Sequence, residues 1–344
     1  MITRSFANGF EVSDYTQELI TIPNTWGTLQ QLGIFQSVPV AENTVIVEEI
    51  NKSLTLVGDK ARGERANVGK DYARKIRSFF VPHFPLDDFI LPTDIQGKRA
   101  YARPGEPDNL AEVRARKLEY IRRSHAVTLE FARAKALTTG DIYAPNGTVV
   151  GNWFTEFGVT QKVVDVAFAT ATTDVAGKIE EALYNVQMNI MNGGVMTGAL
   201  VLCSREWFSA LIAHPKIATA YQYYSSSQEP LRNRLAPGLN ISMHRQFEYM
   251  GVTFLEMNDQ YTDNAGVVQR LIPASTAVML PLGTDSFVTH FAPANKFEFV
   301  NTTGEEAYFF EYPSLKGDKI DIESESNFLS IVRRPAALVR LTMS

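Results

Sequence analysis

Residues 42–88 carry an alternation of apolar and polar positions that predicts a two-stranded β-ribbon. A glycine-containing, charged segment without periodicity separates the two strands and predicts a turn. Strands of about 16 residues would reach about 50 Å at ~3.3 Å per residue, whereas strands in globular proteins usually have about 3–10 residues. We therefore expect this ribbon to leave the body of its own subunit and to lie on another surface.

One face of the predicted ribbon is apolar. The residues on this face are Ile46, Ile50, Leu54, Leu56, Ile76 and Phe80. An isolated two-stranded hairpin is only marginally stable in water. We therefore expect another subunit to cover this face, which makes these side chains candidate inter-subunit contacts.

Basic residues dominate the turn and the start of the returning strand, and we interpret them as a basic tip. They are Lys60, Arg62, Arg65, Lys70, Arg74, Lys75 and Arg77. Three interpretations remain open: solubility of an exposed turn, salt bridges to an acidic neighbour, and contact with nucleic acid. The last has the least support, because few aromatic residues are interleaved and the whole chain has a net charge of -5.

Residues 108–139 predict one long helix, with Asp108 as its N-cap and Gly140 as its C-terminal stop. Its apolar face follows spacings of three and four and comprises Leu118, Ile121, His125, Leu129, Ala132 and Ala136. We interpret His125 as a packed core residue, because no other metal-ligand type follows at a suitable spacing.

The remaining segments mix helices with strands, which predicts an α+β fold. Residues 1–41 are interpreted as an arm that needs a partner surface, with Trp26, Leu29 and Leu32 on one side of a short helix that ends at Gly33. The sequence then predicts a hairpin around Asn146-Gly147, a helix over 175–191, a strand over 198–204 and a helix over 206–221 interrupted near Pro215. A single strand is predicted over 247–257, with further strands beyond it.

Composition narrows the functional classes. The chain has 344 residues, of which 45% are hydrophobic and 21% charged, as expected for a globular protein. No apolar run approaches the ~20 residues of a membrane span, and the first residues lack the apolar core of a signal peptide. The single cysteine, Cys203, lies in an apolar run and is predicted to be a buried hydrophobe. These features predict synthesis in a reducing cytoplasm and no membrane partner.

Catalytic, nucleotide-binding and metal-binding motifs are not found in the sequence, so we predict neither a catalytic residue nor a cofactor or metal. Asp321, Glu323 and Glu325 alternate along one strand and would share one face. A divalent cation there is conceivable, but we interpret the face as solvated or salt-bridged.

The order of parts resembles that of the major capsid proteins of tailed bacteriophages, and most closely the lambda-type family called phage major capsid protein E. The stretches that carry the likeness are 135–147 (KALTTGDIYAPNG), 199–211 (ALVLCSREWFSAL), 247–252 (FEYMGV), 312–318 (YPSLKGD) and 328–335 (FLSIVRRP). The likeness extends over nearly the whole chain.

The resemblance implies a domain organisation. Residues 1–41 would be an N-terminal arm and 42–90 an extended loop. Residues 91–174 and about 301–326 would form a peripheral domain with a spine helix over 108–139. Residues 175–300 and 327–344 would form an axial domain.

The resemblance also implies a function. The chain would self-assemble into pentamers and hexamers of an icosahedral head that encloses double-stranded DNA, after synthesis in the bacterial cytoplasm. Its partners would be copies of itself, a scaffold, a portal, a trimeric cement protein in some members, and packaged DNA held non-specifically on the inner face. Some relatives cross-link a loop lysine, for which Lys60 or Lys70 would be the candidate, but the lambda-type branch is usually held without such bonds.

Two alternatives from other classes remain. A soluble α/β enzyme would require a pocket in which His244 or His290 meets Asp321, Glu323 and Glu325. A structural protein that forms open tubes or rings would use the same ribbon without closing a shell.

Overall fold

Two six-stranded sheets and one long helix organise the chain in the computed structural model. The structure describes residues 4–5, 11–12, 27–51, 73–96, 109–143, 148–190, 196–227, 244–262, 266–314 and 316–343. The helices are α1 (Thr28–Gln31), α2 (Leu110–Thr138), α3 (Trp153–Phe157), α4 (Val175–Met188), α5 (Arg205–Ala213) and α6 (Pro215–Ser227). This mixture of helices and sheets is the predicted α+β class.

The strands are numbered in chain order. They are β1 (Arg4–Ser5), β2 (Glu11–Val12), β3 (Gln36–Pro39), β4 (Thr44–Asn51), β5 (Ala73–Phe80), β6 (His83–Pro85), β7 (Asp88–Ile90), β8 (Asp141–Tyr143), β9 (Val149–Asn152), β10 (Lys162–Asp165), β11 (Gly198–Cys203), β12 (Gln246–Tyr249), β13 (Val252–Glu256), β14 (Gln260–Thr262), β15 (Val268–Arg270), β16 (Thr276–Leu282), β17 (Phe287–Phe291), β18 (Tyr308–Pro313), β19 (Ile320–Val332) and β20 (Val339–Thr342).

The central sheet has the strand order β10-β20-β16-β11-β13-β12 and buries apolar side chains on both faces. Val201 and Phe254 belong to the apolar cluster on the face that α4, α5 and α6 cover. Leu200 and Leu280 belong to the cluster on the opposite face, which also contains residues of the second sheet and the end of α2. Because successive strand residues point to opposite faces, continuously apolar strands such as β11 are the expected sequence of a sheet covered on both sides.

The second sheet is built on β19, a strand of 13 residues. Its first half pairs with β18 on one side and with β7 and β6 on the other, and its last part pairs with β17, which continues to β3. Strand β19 therefore connects the strands β6, β7 and β18 to the strands β17 and β3, which lie next to the central sheet.

Helix α2 covers the second sheet, and its limits have local causes. The side chain of Asn109 caps its start by accepting a hydrogen bond from Glu112 N at 2.9 Å, so the prediction of Asp108 as the cap was wrong by one residue. Gly140 has φ 74°, and a Cβ at this position would lie 2.5 Å from the Phe154 ring. Only glycine therefore fits the predicted C-terminal stop.

Other predicted elements compare as follows. The hairpin of β8 and β9, the helix break at Pro215 and the strand over Gly198–Cys203 are confirmed. The single strand predicted over 247–257 was wrong, because β12 and β13 form a hairpin whose turn residues Met250 and Gly251 have φ 53° and 72°. The predicted peripheral domain included residues 91–174, but strand β10 within this range pairs with β20 in the central sheet. The rest of the predicted domain organisation stays a prediction.

Candidate assembly surfaces

The predicted ribbon is confirmed over the described residues 44–51 and 73–80, where one of its faces is open; its predicted length stays a prediction. Strands β4 and β5 pair antiparallel, with Glu48 opposite Ile76 and Thr44 opposite Phe80, so Ile46, Ile76 and Phe80 share one face. These three side chains are 59%, 62% and 70% exposed, respectively. We call them the ribbon outer face, and it is the apolar face that the sequence predicted.

The opposite face of the ribbon packs onto its own subunit. Val45 and Phe79 are buried, and the Phe79 ring meets Trp153 edge to face at 4.9 Å between centroids. The Arg77 guanidinium lies 4.8 Å from the centroid of the Phe157 ring. The base of the ribbon is therefore packed on its own subunit, while its outer face is turned to solvent.

Several predicted ribbon residues cannot be placed. Leu54, Leu56, Lys60, Arg62, Arg65 and Lys70 lie outside the described residues, as do the side chains of Ile50 and Arg74. Lys75 and Arg77 lie within strand β5. Assigning Arg77 to a basic tip was wrong, because its contact with Phe157 places it at the base of the ribbon.

The N-terminal segment does not need a partner where it is described. The predicted short helix is α1, and Gly33 after it has φ 62°. Leu29 is buried in the main core of its own chain, and Leu32 packs against the same core, so the prediction of an arm that needs a partner surface was wrong for these two residues. Trp26 lies outside the described residues.

A second apolar surface was not predicted from the sequence. Phe297 begins a 3-10 turn over Phe297–Phe299 and is 98% exposed. The turn is held by its neighbours: Phe299 packs edge to face on Tyr308 at 5.0 Å, and Lys296 forms an ion pair with Glu323. Aromatic side chains are enriched in protein interfaces, so Phe297 is a candidate contact residue.

The three alternating acids of β19 are paired, as the sequence interpretation held. Lys319 Nζ lies 2.8 Å from Asp321, Lys296 pairs with Glu323, and His83 Nδ1 lies 3.2 Å from Glu325 Oε2. Within the described part of the chain, no group of three or more His, Cys, Asp or Glu side chains could hold a metal ion.

The pocket required by the enzyme alternative is not formed by the residues that the structure places. His244 Nε2 lies 3.6 Å from Asp259 Oδ1, away from the acids of β19. His290 is buried, and burial together with Arg333 lowers its pKa. A cleft of about 470 Å³ does lie near the ends of β11 and β13, but the acid Glu206 at its wall is held by Arg270 at 2.7 Å.

His125 and Cys203 are the buried residues that the sequence predicted. The His125 imidazole hydrogen-bonds Ser324 Oγ at 2.9 Å, and burial lowers its pKa to about 4. Burial likewise raises the pKa of the Cys203 thiol. Among the described helices, none is long and apolar enough to cross a membrane.

Structural similarity identifies the fold. The capsid protein of an empty GTA particle, computed with C5 symmetry, superimposes with a TM-score of 0.54 at 12% identity, over 95% of this chain and 94% of that chain. At this identity the likeness shows the fold alone, which is that of capsid proteins.

The sequence then gives the family. Residues 11–343 match the model of phage major capsid protein E. The major capsid protein of Pseudomonas phage KPP10 is 44% identical over 343 residues, covering 98% of this chain and 97% of the relative. That of Salmonella phage Felix O1 (isolate Felix O1-VT1) is 30% identical over 365 residues, covering 98% of both. The chain belongs to the phage major capsid protein E family, and the resemblance drawn from the sequence is confirmed.

Proposed function

We propose that this protein is the building block of an icosahedral phage head, that it self-assembles into pentamers and hexamers around double-stranded DNA, and that its role is structural rather than catalytic. Its place would be the virion capsid, after assembly in the bacterial cytoplasm. Membership of the capsid protein family supports the class of function. The observation that carries the mechanism is the ribbon outer face, which is apolar, exposed and carried by a ribbon whose base packs on its own subunit.

Burial of the ribbon outer face on a neighbouring subunit would drive assembly. Fully burying one large apolar side chain contributes roughly 1.5–3 kcal/mol. Ile46, Ile76 and Phe80 are already partly covered, so each would add less than this range. A contribution of this size becomes decisive in a closed shell, because every subunit makes the same contact.

The other partners are proposed on the family alone: a scaffold, a portal and, in some members, a trimeric cement protein. The turn at Phe297 supplies an exposed aromatic side chain for one such contact. The net charge of -5 supports weak, non-specific contact with packaged DNA, because a strongly basic lining would bind the phosphates tightly.

The test is shell formation by a variant whose subunit is intact. We expect the full chain, expressed with the neighbouring phage genes, to give closed shells by negative-stain microscopy. The double substitution Ile46→Ser with Ile76→Ser should lower the shell yield at least tenfold. The free energy of unfolding of the subunit should fall by no more than about 2 kcal/mol, because both side chains are more than half exposed in the subunit.

The matched control is Ser78→Ala, which lies on the same face opposite Ile46 and changes little area. It should assemble like the unchanged chain. Shells at the normal yield from the double variant would contradict the role of the outer face. Open tubes, rings or a persistent monomer from the unchanged chain would contradict the shell function itself.

A further inference from the structure

A buried polar cluster joins the N-terminal segment to the rest of the molecule. Thr28 Oγ1 donates a hydrogen bond to Asp259 Oδ2 at 2.8 Å, and the backbone N–H of Leu29 donates to Glu130 Oε1 at 2.5 Å. Glu130 and Asp259 are only 2% and 1% exposed. Two consecutive residues of α1 are thus held by two acids, one from α2 and one from the segment before β14.

A third contact holds the N-terminal segment at Phe35. The Arg133 guanidinium of α2 lies 5.5 Å from the centroid of the Phe35 ring, and Arg133 Nε donates to Thr289 Oγ1 of β17 at 3.2 Å. Leu29 and Phe35 themselves lie in the main core. Charged groups of the body therefore hold both ends of residues 28–35.

Both acids are buried, and Asp259 Oδ1 has no hydrogen-bond partner among the described residues. Arg133 is the guanidinium that acts on Glu130, and it also interacts with Glu306. His244 faces Asp259 at 3.6 Å, and Tyr261 is an uncharged phenol whose pKa is raised further by burial and by both acids. A second buried carboxylate beside the first is therefore costly, because burial in low dielectric disfavours the charged form.

Burial raises the pKa of Glu130 to about 7, against the opposing effects of the Leu29 N–H and Arg133, while the charge of Asp259 raises it further. Burial also raises the pKa of Asp259. The docked segment thus retains protons that an opened segment would release, because the opened acids regain ordinary pKa values. Docking is therefore strongest at low pH and weakens as the pH rises from about 4.5 to about 7.

We propose that Glu130 and Asp259 form a proton-controlled latch, which holds residues 28–35 on α2 and the central part of the molecule and loosens when the pair loses its proton. The latch consists entirely of contacts within one chain, so it does not rest on the shell function. It gives the N-terminal segment a docked and a released state that differ by ionisation rather than by a ligand.

Hydrogen exchange measured by mass spectrometry on the full chain tests the latch. After correction for the intrinsic pH dependence of exchange, the protection of a peptide covering residues 28–35 should fall about tenfold between pH 6 and pH 8.5, as a carboxyl pKa shift from 4.5 to about 7 requires. Helix α4 has none of the latch residues and serves as the internal reference for global opening.

Glu130→Gln separates the latch from general instability. The amide oxygen can still accept from Leu29 N–H, but the side chain no longer titrates, so the tenfold loss that Glu130 causes in residues 28–35 should disappear and only the contribution of Asp259 should remain. Glu119→Gln, an exposed change on the same helix, should behave like the unchanged chain. Constant protection of residues 28–35 in the unchanged chain, or the same tenfold loss in Glu130→Gln, would overturn the proposal.

Discussion

Strands β11 of the central sheet and β19 of the second sheet are both mostly buried, but with different kinds of side chain. The central sheet buries aliphatic and aromatic side chains on both faces, such as Val201, Phe254 and Met279. The long strand of the second sheet buries polar residues instead, among them Ser324, Glu325 and Asn327. The first interior depends on the amount of apolar area removed from water, and the second depends on correctly placed hydrogen-bond partners.

The buried polar residues of β19 have hydrogen-bond partners. Asn327 Nδ2 donates to the carbonyl of Pro293 at 2.9 Å, and Glu325 Oε1 accepts from Asn295 N at 3.0 Å. Ser324 bonds both the backbone of Leu86 and the His125 imidazole. The difference predicts that substitutions in the central sheet act through lost apolar burial, whereas the second sheet has a buried titratable partner, His125 of α2, through which its stability also depends on pH.

The largest effect should come from a cavity in the central sheet. Phe254→Ala removes a fully buried ring packed against Trp207 and Phe247, and should lower the free energy of unfolding by about 3–5 kcal/mol. Chemical denaturation of the subunit measures this change.

Phe297→Ala is the matched control, because it removes the same side chain from a 98% exposed position. It should change subunit stability by less than about 0.5 kcal/mol. If both substitutions lowered the free energy of unfolding by similar amounts, the buried Phe254 and the exposed Phe297 would not differ in their contribution to subunit stability.

A smaller effect on the free energy of unfolding, at the contact between α2 and the second sheet, should depend on pH. Because burial holds the pKa of His125 at about 4, below the ordinary 6.5, the folded state favours the neutral ring. The stabilisation is present above pH 6.5 and is lost as the pH falls towards 4, by about 2–3 kcal/mol at most. His125→Gln cannot be protonated, so its loss of stability between pH 7 and pH 4 should be smaller by this amount.

The measurement for His125→Gln is denaturation at a series of pH values beside the unchanged chain. Its stability at pH 7 should stay within about 1.5 kcal/mol of the original, since the amide can replace the bond to Ser324. Parallel pH curves for the two proteins would mean that the second sheet does not owe its acid sensitivity to this histidine.

The parts of the fold that could be predicted are those determined by local sequence patterns. The apolar alternation gave the pairing face of the ribbon, the three-and-four spacing gave α2 with His125 inside, and Pro215 marked the break between α5 and α6. In each case a period or a backbone restriction of one residue type decides the structure without reference to distant contacts.

The parts that were missed depend on tertiary packing. The turn at Met250-Gly251 has methionine where an asparagine or glycine would have indicated a hairpin. Leu29 is buried by packing into the main core, and its helix is hydrogen-bonded there by Glu130 and Asp259, more than a hundred residues away in sequence. Phe297 looks like an ordinary core residue in the sequence, and only the placement of its turn by Lys296 and Phe299 leaves it in solvent.

The smallest effect should come from the end of α2 over the second sheet. Asn109→Ala removes the acceptor for Glu112 N–H and should lower the free energy of unfolding by about 1 kcal/mol. Hydrogen exchange should rise in the first turn of α2, whereas α5, capped by Ser204 in the central layer, should be unchanged. Asn109→Asp keeps an acceptor and adds a favourable charge at the helix start, so it should retain the stability that the alanine variant loses. If aspartate were as destabilising as alanine, the capping hydrogen bond would not be what stabilises the start of α2. The view that the region of the second sheet depends on correctly placed hydrogen-bond partners would then lose one of its supports.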